Sequence, residues 1–333
     1  MARVLVTGGT GFVGSAVVRD LLGRGEAVRA FHRAGANLSN LRGHEGELET
    51  CEGDLRDVES LSRAMDGCQR VFHVAARYQF GRRYAKDLHA DNHDGTKNVL
   101  DAAKRVGVER VVYTSTVGVL HPRADGVPVD ETALGNLEEM AGAYKASKWL
   151  AEQEVVKAAA DGLPVVSVCP STPIGHYDVK PTPTGQMILD FLLGKMPAYV
   201  DTGLNLVDVD DVAVGHWLAA EKGRVGERYI LGGRDMKLRE ILECLAQITG
   251  GKAPRFKVPK KLLLPIAYLT EGFASVFGFE PRVTIENAKM SQVFMYFDSS
   301  KAKRELGYEP GSVEKGLERA VEWFRANGYV DKR

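Results

Sequence analysis

The sequence predicts an α/β protein in which a doubly wound parallel sheet is followed by a smaller C-terminal α/β domain. Apolar strands alternate with amphipathic helices through the first half of the chain, a pattern typical of a parallel sheet covered on both faces. The 333 residues are long for one domain and suit two domains that share an interface. We expect residues 1–172 to form the first domain, residues 206–232 to return to it, and residues 173–333 to form the second.

The first half of the chain supplies the strands and helices in turn. Short runs rich in valine predict strands, and longer runs with apolar residues at helical spacing predict helices. We expect strands at 3–8, 27–33, 48–55, 70–76, 110–117 and 164–170, and helices at 14–25, 58–68, 94–107 and 141–162. After Pro170 a loop rich in proline and glycine leads into short helices and strands, which we expect to complete a cleft at the carboxyl ends of the strands.

Composition excludes several classes of protein. Lysine plus arginine equals aspartate plus glutamate, 44 against 44, so no overall charge favours nucleic acid or an anionic membrane. The four cysteines lack metal-type spacing and the eight histidines are dispersed, which predicts reduced thiols in the cytoplasm and no metal site. The sequence shows no signal peptide and no run of the roughly 20 apolar residues that cross a bilayer.

The most apolar stretch is residues 262–279, which Pro265 and Glu271 interrupt. We expect Pro265 to break this run, and we expect the stretch to belong to the core of the second domain rather than to a lid over the substrate. If the substrate is a polycyclic lipid, Lys260, Lys261 and Arg282 could flank a peripheral contact with a membrane surface. We expect soluble behaviour without stable membrane insertion.

Four glycines occur within seven positions of TGGTGFVGS, residues 7–15, directly after the first predicted strand. Their spacing fits the dinucleotide fingerprint Gly9-x-Gly11-x-x-Gly14 and also a wider variant that begins at Gly8. Such glycines allow a sharp turn and let a pyrophosphate approach the backbone at a helix N-terminus. A plain tight turn would also use glycine, but the position in the first strand–helix unit favours a Rossmann-type dinucleotide site.

The end of the second predicted strand indicates which dinucleotide binds. NAD sites carry a carboxylate about 20 residues beyond the glycines, where it binds the ribose hydroxyls. Here the sequence is Phe31-His32-Arg33, without an acid. Arg33 suits the 2′-phosphate of NADP, although a solvated surface arginine is the alternative. We therefore expect NADP, with NAD as the weaker candidate.

Tyr144 and Lys148 stand four residues apart in AYKASKWLAE, on a predicted helix. This spacing places both side chains on one helix face. An ammonium beside a phenol favours the phenolate and lowers the tyrosine pKa, so we expect Tyr144 to exchange a proton with an alcohol oxygen near neutral pH. The preceding strand ends in three hydroxyl residues, Thr114-Ser115-Thr116. The pattern suits carbonyl reduction.

These motifs carry a resemblance to a known family. TGGTGFVGS, GDL, HVAA, TST and YKASK occur in the order and spacing of the extended short-chain dehydrogenase/reductases, and the chain resembles them over essentially its whole length. Within that superfamily it is similar to dihydroflavonol 4-reductases and 3β-hydroxysteroid dehydrogenases. The stretches STPIGHYDVKPTPTG and MPAYVDTGLNLVDVDDVAVGH resemble the bacterial hopanoid-associated sugar epimerases.

The resemblance implies roles for individual residues. Tyr144 would be the acid/base, Lys148 its partner, and Thr116 would replace the commoner serine that binds the substrate oxygen, with Ser115 as the fallback. Asn92 would shape the active site, while His73 is interpreted as a packed strand residue. The expected cofactor-binding residues are Gly8, Thr10, Gly11, Phe12, Val13, Gly14, Arg33, Asp54, Leu55, Val74, Ala75, Ala76, Thr114, Ser115, Tyr144, Lys148, Pro170 and Ser171.

One departure from the family pattern concerns the substrate. Nucleotide-sugar epimerases of this superfamily carry Arg-Asp-(Phe/Tyr) where this chain has Leu204-Asn205-Leu206, and the arginine helps to hold a diphosphate. The sequence therefore favours an apolar ketone or alcohol, and the leading hypothesis is an NADP(H)-dependent reductase. An epimerase that retains its cofactor is the alternative, and a non-catalytic dinucleotide sensor is the remote one.

The resemblance also implies a homodimer. In the family, the helices after the fourth and fifth strands pair across a two-fold axis. In this chain these helices correspond to residues 94–105 and 142–160. We expect the small side chains of Ala102, Ala103, Ala146 and Ala151 to allow close approach of the two protomers.

Overall fold

The computed structural model describes residues 3–79, 81–123, 125–140, 142–277 and 285–330. Its first half contains, in chain order, β1 (Arg3–Thr7), α1 (Phe12–Gly23), β2 (Ala27–His32), β3 (Leu48–Glu52), α2 (Val58–Met65), β4 (Arg70–His73), α3 (Ala85–Leu88), a π-helical turn (His89–Asp94), α4 (Gly95–Val106), β5 (Arg110–Thr114), α5 (Ala143–Ala160) and β6 (Val165–Pro170). The remainder contains β7 (Thr172–Ile174), α6 (Pro183–Leu192), β8 (Ala198–Val200), β9 (Gly203–Asp208), α7 (Val209–Lys222), β10 (Arg228–Leu231), β11 (Arg234–Lys237), α8 (Leu238–Thr249), β12 (Phe256–Val258), α9 (Lys260–Phe277), α10 (Ile285–Met290), β13 (Phe294–Met295), α11 (Ser300–Leu306) and α12 (Val313–Ala326).

Seven strands form one parallel sheet in the order β10-β6-β5-β4-β1-β2-β3. Helices cover both faces, so the central strand β1 buries Val4, Leu5 and Val6 completely. The strand order reverses between β1 and β4, and doubly wound sheets bind ligands at the carboxyl ends of strands at such a point. The predicted Rossmann-type sheet is confirmed.

Two apolar layers enclose this sheet. On one face, α1 and α7 pack together over residues such as Val17, Leu21 and Val212. On the other face, α2, α4 and α5 pack over a second cluster, which includes Ala102, Ala103 and Ala151. The dimer remains a prediction. The expectation that Ala102, Ala103 and Ala151 allow close approach of two protomers is wrong, because these side chains are buried in the core of the protomer.

The rest of the chain forms a smaller assembly of helices and strands. Strands β11, β9 and β13 lie side by side, with β7 also paired to β9, and β12 pairs with β8. Helices α6, α8 and α12 pack around an apolar cluster that includes Ile188, Leu242 and Leu317. Between these elements the chain returns to the large sheet, because α7 packs on α1 and β10 pairs with β6. The proposed division into two domains stays a prediction.

Helix α9 differs from the sequence expectation in two ways. Pro265 lies inside a continuous helix and does not break it. The side chains of Leu262, Ile266, Tyr268 and Leu269 are exposed, so the expectation that the stretch is core is wrong for this part of it. Residues 278 and 279 and the flanking Arg282 lie outside the described residues. Among the described helices, none has the length and apolar character required to cross a membrane.

Candidate active site

The turn between β1 and α1 needs glycine for packing at two positions. Gly8 has a φ of +72°, and a Cβ there would lie 2.6 Å from the Cα of Ala75 in the segment after β4. A Cβ on Gly14 would collide with the carbonyl oxygen of Gly8. Gly11 is different, because a Cβ there would meet only that same oxygen, at 3.3 Å. Contacts within the protein therefore explain why glycine is needed at positions 8 and 14. At Gly11 the lack of a side chain leaves space at the start of α1.

The start of α1 suits an anion. Gly11 is its N-cap and no side chain of the described residues caps the helix, so first-turn N–H groups remain available. At the end of β6, the hydroxyl of Ser171 is buried without a hydrogen-bond partner among the described residues. Both features lie at the same edge of the sheet, which fits a pyrophosphate at α1 and the other end of a dinucleotide near Ser171.

The predicted cofactor residues lie along this edge because every strand that carries them is parallel to its neighbours. Arg33 directly follows β2, is exposed, and makes no hydrogen bond or ion pair with another described side chain. The carbonyl of Thr10 accepts a bond of 3.2 Å from Asn40. The other positions are, from β1 to β6, the helix start at Phe12 and Val13, the segments after β3 (Asp54, Leu55) and β4 (Val74, Ala75, Ala76), and the ends of β5 (Thr114, Ser115) and β6 (Pro170, Ser171).

Tyr144, Thr116 and Lys148 meet at the end of β5. The second residue of α5 is Tyr144. Its phenol lies close enough to the side chain of Thr116, which follows β5, for the threonine hydroxyl to lower the pKa of the phenol. One turn later, Lys148 is buried, and its Nζ donates to the carbonyl oxygen of Thr114 at 2.8 Å. The same amine lies 4.4 Å from the centre of the Tyr113 ring. The phenol and the hydroxyl thus form a pair of groups that can bind one oxygen atom.

The protonation of this pair differs from the sequence expectation. Desolvation raises the pKa of Tyr144 well above its ordinary value, the nearby Tyr78 raises it further, and the bond with Thr116 lowers it. Burial lowers the pKa of Lys148 to about 8, against the opposing charge of Glu152. The expectation that Lys148 lowers the tyrosine pKa is therefore wrong for the protein alone, since the ammonium binds a backbone carbonyl and faces Tyr113.

Ser115 is turned toward the protein interior. Its hydroxyl donates to Glu152, which has no exposed surface and also binds Nε of Arg228 at 2.8 Å. A buried carboxylate is costly unless it is paired in this way. This arrangement favours Thr116 over the fallback Ser115 as the hydroxyl that faces the cleft. Glu152 is one helical turn beyond Lys148, a spacing from which the sequence could have indicated it.

Asn92 connects the segment after β4 to the catalytic helix. Its amide accepts from the backbone N–H of Arg77 at 2.7 Å and donates to the Arg77 carbonyl and to the Ser147 hydroxyl, each at 3.0 Å. Ser147 in turn donates to the carbonyl oxygen of Tyr144 at 2.7 Å. These bonds connect Asn92 to the first turn of α5 through Ser147, and none of the hydrogen bonds of Asn92 with the described residues is to the phenol of Tyr144.

Two buried histidines hold the strand ends beside the site. His73 contacts the hydroxyls of Thr7 at 2.7 Å and Thr96 at 3.0 Å, and burial lowers its pKa to about 3. His216 contacts the Thr114 hydroxyl at 2.8 Å and the Val212 carbonyl at 2.7 Å, and burial lowers its pKa to about 4. Both rings are therefore neutral near pH 7, and neither is a proton donor for substrate.

Tyr78 is a residue that the sequence did not indicate. Its ring stands edge-on against the ring of Tyr144, with centroids 4.5 Å apart, and 44% of its surface is exposed. No spacing rule connects it to the tyrosine, because it lies in the irregular segment between β4 and α3. The contact places an aromatic surface directly beside the phenol.

The segment Leu204-Asn205-Leu206 lies in β9. Asn205 is buried, donates to Asp235 at 2.7 Å and accepts from the N–H of Gly233 at 2.9 Å. Leu206 belongs to the core around α8 and α12. None of these three side chains is a cation, and the amide of Asn205 is already engaged within the protein.

A model of the NAD-dependent epimerase/dehydratase family matches residues 4–232, which is more than half of the chain. The match begins in β1 and ends directly after β10, so it spans all seven strands of the large sheet. The glycine turn and the Tyr144–Lys148 pair lie within the matched residues.

Individual relatives extend the similarity to nearly the whole chain. A "Putative dihydroflavonol 4-reductase" of Synechocystis sp. is 46% identical over 98% of this chain and 95% of its own length. A "Sterol demethylase protein B" of Methylococcus capsulatus is 35% identical over 98% of this chain and 99% of its own length. The crystal structure of gox2253 superposes with a TM-score of 0.89 at 46% identity, covering 99% of this chain and 100% of that one. These matches confirm the predicted resemblance to the extended short-chain dehydrogenase/reductases and, within them, to proteins named as dihydroflavonol 4-reductases.

Proposed function

The chain belongs to the NAD-dependent epimerase/dehydratase family, and we propose that within it this protein is an NADP(H)-dependent reductase of a ketone with an apolar skeleton. The reverse reaction, oxidation of the corresponding secondary alcohol, uses the same groups. The observation that carries the proposal is the Tyr144–Thr116 pair, with Lys148 one turn further along α5.

The two hydroxyls account for substrate binding and proton transfer. A carbonyl oxygen that accepts from both Thr116 and Tyr144 is polarised, and negative charge that develops on it is stabilised. Because the protein raises the pKa of Tyr144, the phenol keeps its proton until the carbonyl oxygen becomes strongly basic. Tyr144 then donates that proton and completes the alcohol. A phenol held in its protonated form suits the direction of reduction.

The dinucleotide would supply the hydride for the carbonyl carbon. The turn Gly8–Gly14 and the uncapped start of α1 would bind its pyrophosphate, and the orphaned hydroxyl of Ser171 supports a ligand near the end of β6. Arg33 lies directly after β2, where a 2′-phosphate would be recognised, and it pairs with no side chain in the described part of the chain. This exposed cation supports the preference for NADP over NAD.

Two observations support an apolar substrate. The segment Leu204-Asn205-Leu206 offers no cation for a diphosphate, and its one polar side chain is bonded to Asp235 and Gly233. Tyr78 adds an aromatic surface beside the phenol of Tyr144. The relatives named as a reductase and as a sterol demethylase protein are consistent with such a substrate class.

A deuterium-transfer assay tests the proposal. The protein is incubated with NADPH deuterated at nicotinamide C4 and a panel of flavonoid, steroid and alkyl ketones, and absorbance loss is compared with deuterium in the product. A reductase consumes one NADPH per alcohol and places the label on the carbinol carbon. Inversion of a sugar or alcohol centre without net NADPH consumption would contradict the proposal and support the epimerase alternative.

A further inference from the structure

The π-helical turn His89–Asp94 brings three side chains that could bind a metal to one side of the chain. In an α-helix, residues five positions apart point about 140° away from each other. A π-helical turn bonds residue i to residue i+5, so His89 and Asp94 come to the same side. His93, next to Asp94, faces His89 with the ring centres 4.6 Å apart. The expectation that the histidines are dispersed is wrong for this pair.

The atoms that could bind a metal are close to the required spacing. Asp94 Oδ1 lies 2.8 Å from Nδ1 of His93 and 3.6 Å from Nε2 of His89, and one ligand atom from each residue lies within 4.8 Å of the others. A tetrahedral ion with bonds of about 2.1 Å separates its ligands by about 3.4 Å. The side chains of His89 and Asp94 are about half exposed, 49% and 54%, so an ion can reach them from solvent.

A carboxylate from α5 stands on the far side of His93. Glu154 Oε1 lies 3.7 Å from Nε2 of His93, the nitrogen that does not face Asp94. Histidines that bind metals commonly donate their other N–H to a carboxylate, which fixes the tautomer and the ring orientation. Glu154 would act in this way after a small movement of its side chain, since 3.7 Å is just beyond hydrogen-bond distance.

We propose that His89, His93 and Asp94 form a binding site for one divalent transition-metal ion, with Glu154 orienting His93. Two imidazoles and one carboxylate favour zinc over magnesium or calcium, which prefer oxygen ligands. A water completes the coordination on the exposed side. The site is distinct from the candidate active site, and it does not depend on the proposed reductase function.

The site is connected to the catalytic helix through the protein. The same π-helical turn carries Asn92, which holds the backbone of Arg77 and the hydroxyl of Ser147. Glu154 belongs to α5, the helix that carries Tyr144 and Lys148. A bound ion would therefore stiffen the contact between the turn and α5.

Titration of the metal-free full chain with zinc tests the proposal. We expect one zinc per chain by calorimetry, loss of that binding in His89→Ala and in His93→Ala, and about tenfold weaker binding in Glu154→Gln. His121→Ala is the control, because this exposed histidine pairs with Glu139, at 3.4 Å, outside the site. Zinc should also slow hydrogen exchange at the Arg77 amide in the wild-type protein and not in His93→Ala.

Circular dichroism and thermal unfolding establish that each variant is folded before it is titrated. Unchanged zinc binding in folded His89→Ala or His93→Ala would overturn the proposal, as would equal losses in His121→Ala. Binding of several ions with similar affinity in all variants would show adventitious surface binding and would overturn it too.

Discussion

Lowering the pH from 7.5 to 5.5 should destabilise the folded chain through His73 and His216. Both rings are enclosed by their partners, and burial depresses their pKa values from 6.5 to about 3 and about 4. The unfolded chain therefore binds protons on these histidines below about pH 6.5, while the folded chain does not. Their contribution to stability is present above pH 6.5 and is lost as the pH falls toward the folded values.

The magnitude follows from these pKa values. At pH 5.5 each unfolded histidine is about nine-tenths protonated, which favours unfolding by about 1.4 kcal/mol per histidine. Buried carboxyls act in the opposite direction, because burial raises the pKa values of Glu131, Asp211 and Asp235 and raises that of Asp178 from 3.8 to about 6. Asp178 alone returns about 0.8 kcal/mol at pH 5.5. The net loss from the two histidines and Asp178 is about 2 kcal/mol.

Urea denaturation followed by tryptophan fluorescence measures this loss at the two pH values. His216→Gln cannot titrate, and it should remove about 1.4 kcal/mol from the difference between pH 7.5 and pH 5.5, even if it lowers stability at both. His121→Gln replaces an exposed histidine and serves as the matched control for loss of one imidazole. If the change in unfolding free energy between the two pH values is the same in His216→Gln as in the wild-type protein, the buried histidines do not cause the pH dependence.

Three further predictions concern the site. Arg33→Asp should weaken the binding of NADPH relative to that of NADH by about 10–100-fold in titrations. This factor corresponds to the loss of one charge-assisted hydrogen bond of about 1.5–3 kcal/mol. An unchanged preference for NADPH would show that Arg33 is not part of the cofactor site. Asn92→Ala leaves the part-buried Arg77 N–H without its acceptor and should cost about 1 kcal/mol in urea denaturation. It should also lower turnover, and normal kcat with normal stability would contradict the positioning role. Burial lowers the pKa of Lys148 to about 8, so its positive charge is lost as the pH rises through that value, and kcat/KM for the anionic NADPH should fall with it. Lys148→Arg keeps a positive charge to higher pH, so the fall in kcat/KM should shift to higher pH in this variant. If the fall stays at the same pH, another group causes it.

The features that were predicted correctly are those determined by residues close together in the sequence. Valine-rich runs and glycine turns depend on neighbours in the chain, so the parallel sheet and the turn after β1 were accessible. The i, i+4 spacing of Tyr144 and Lys148 survives because α5 is a regular helix. Exact strand ends differed by a few residues, as between the expected 48–55 and the observed Leu48–Glu52.

The features that the sequence did not predict depend on packing between distant segments. Whether Ala102 faces a partner or the core depends on how α4 rotates against α2 and α5. The i, i+4 spacing of His89 and His93 is visible in the sequence, but the placement of Asp94 beside His89 depends on a π-helical turn, which has no simple sequence signature. The raised pKa of Tyr144 comes from the protein that surrounds it, including Tyr78 from another segment, and no spacing along α5 reveals it. Pro265 is tolerated within α9, although its residue type predicts a break.

The substitution Tyr144→Phe tests the central claim most directly, because it removes the proton and keeps the ring. With any ketone that the wild-type protein reduces, turnover should fall by roughly 10²–10⁴, the usual worth of a positioned acid. NADPH affinity, measured by fluorescence titration in the same preparation, should hardly change. Thr116→Ser keeps the hydroxyl and serves as the active control. Near-normal turnover in Tyr144→Phe would show that the proton comes from another group and would contradict the account.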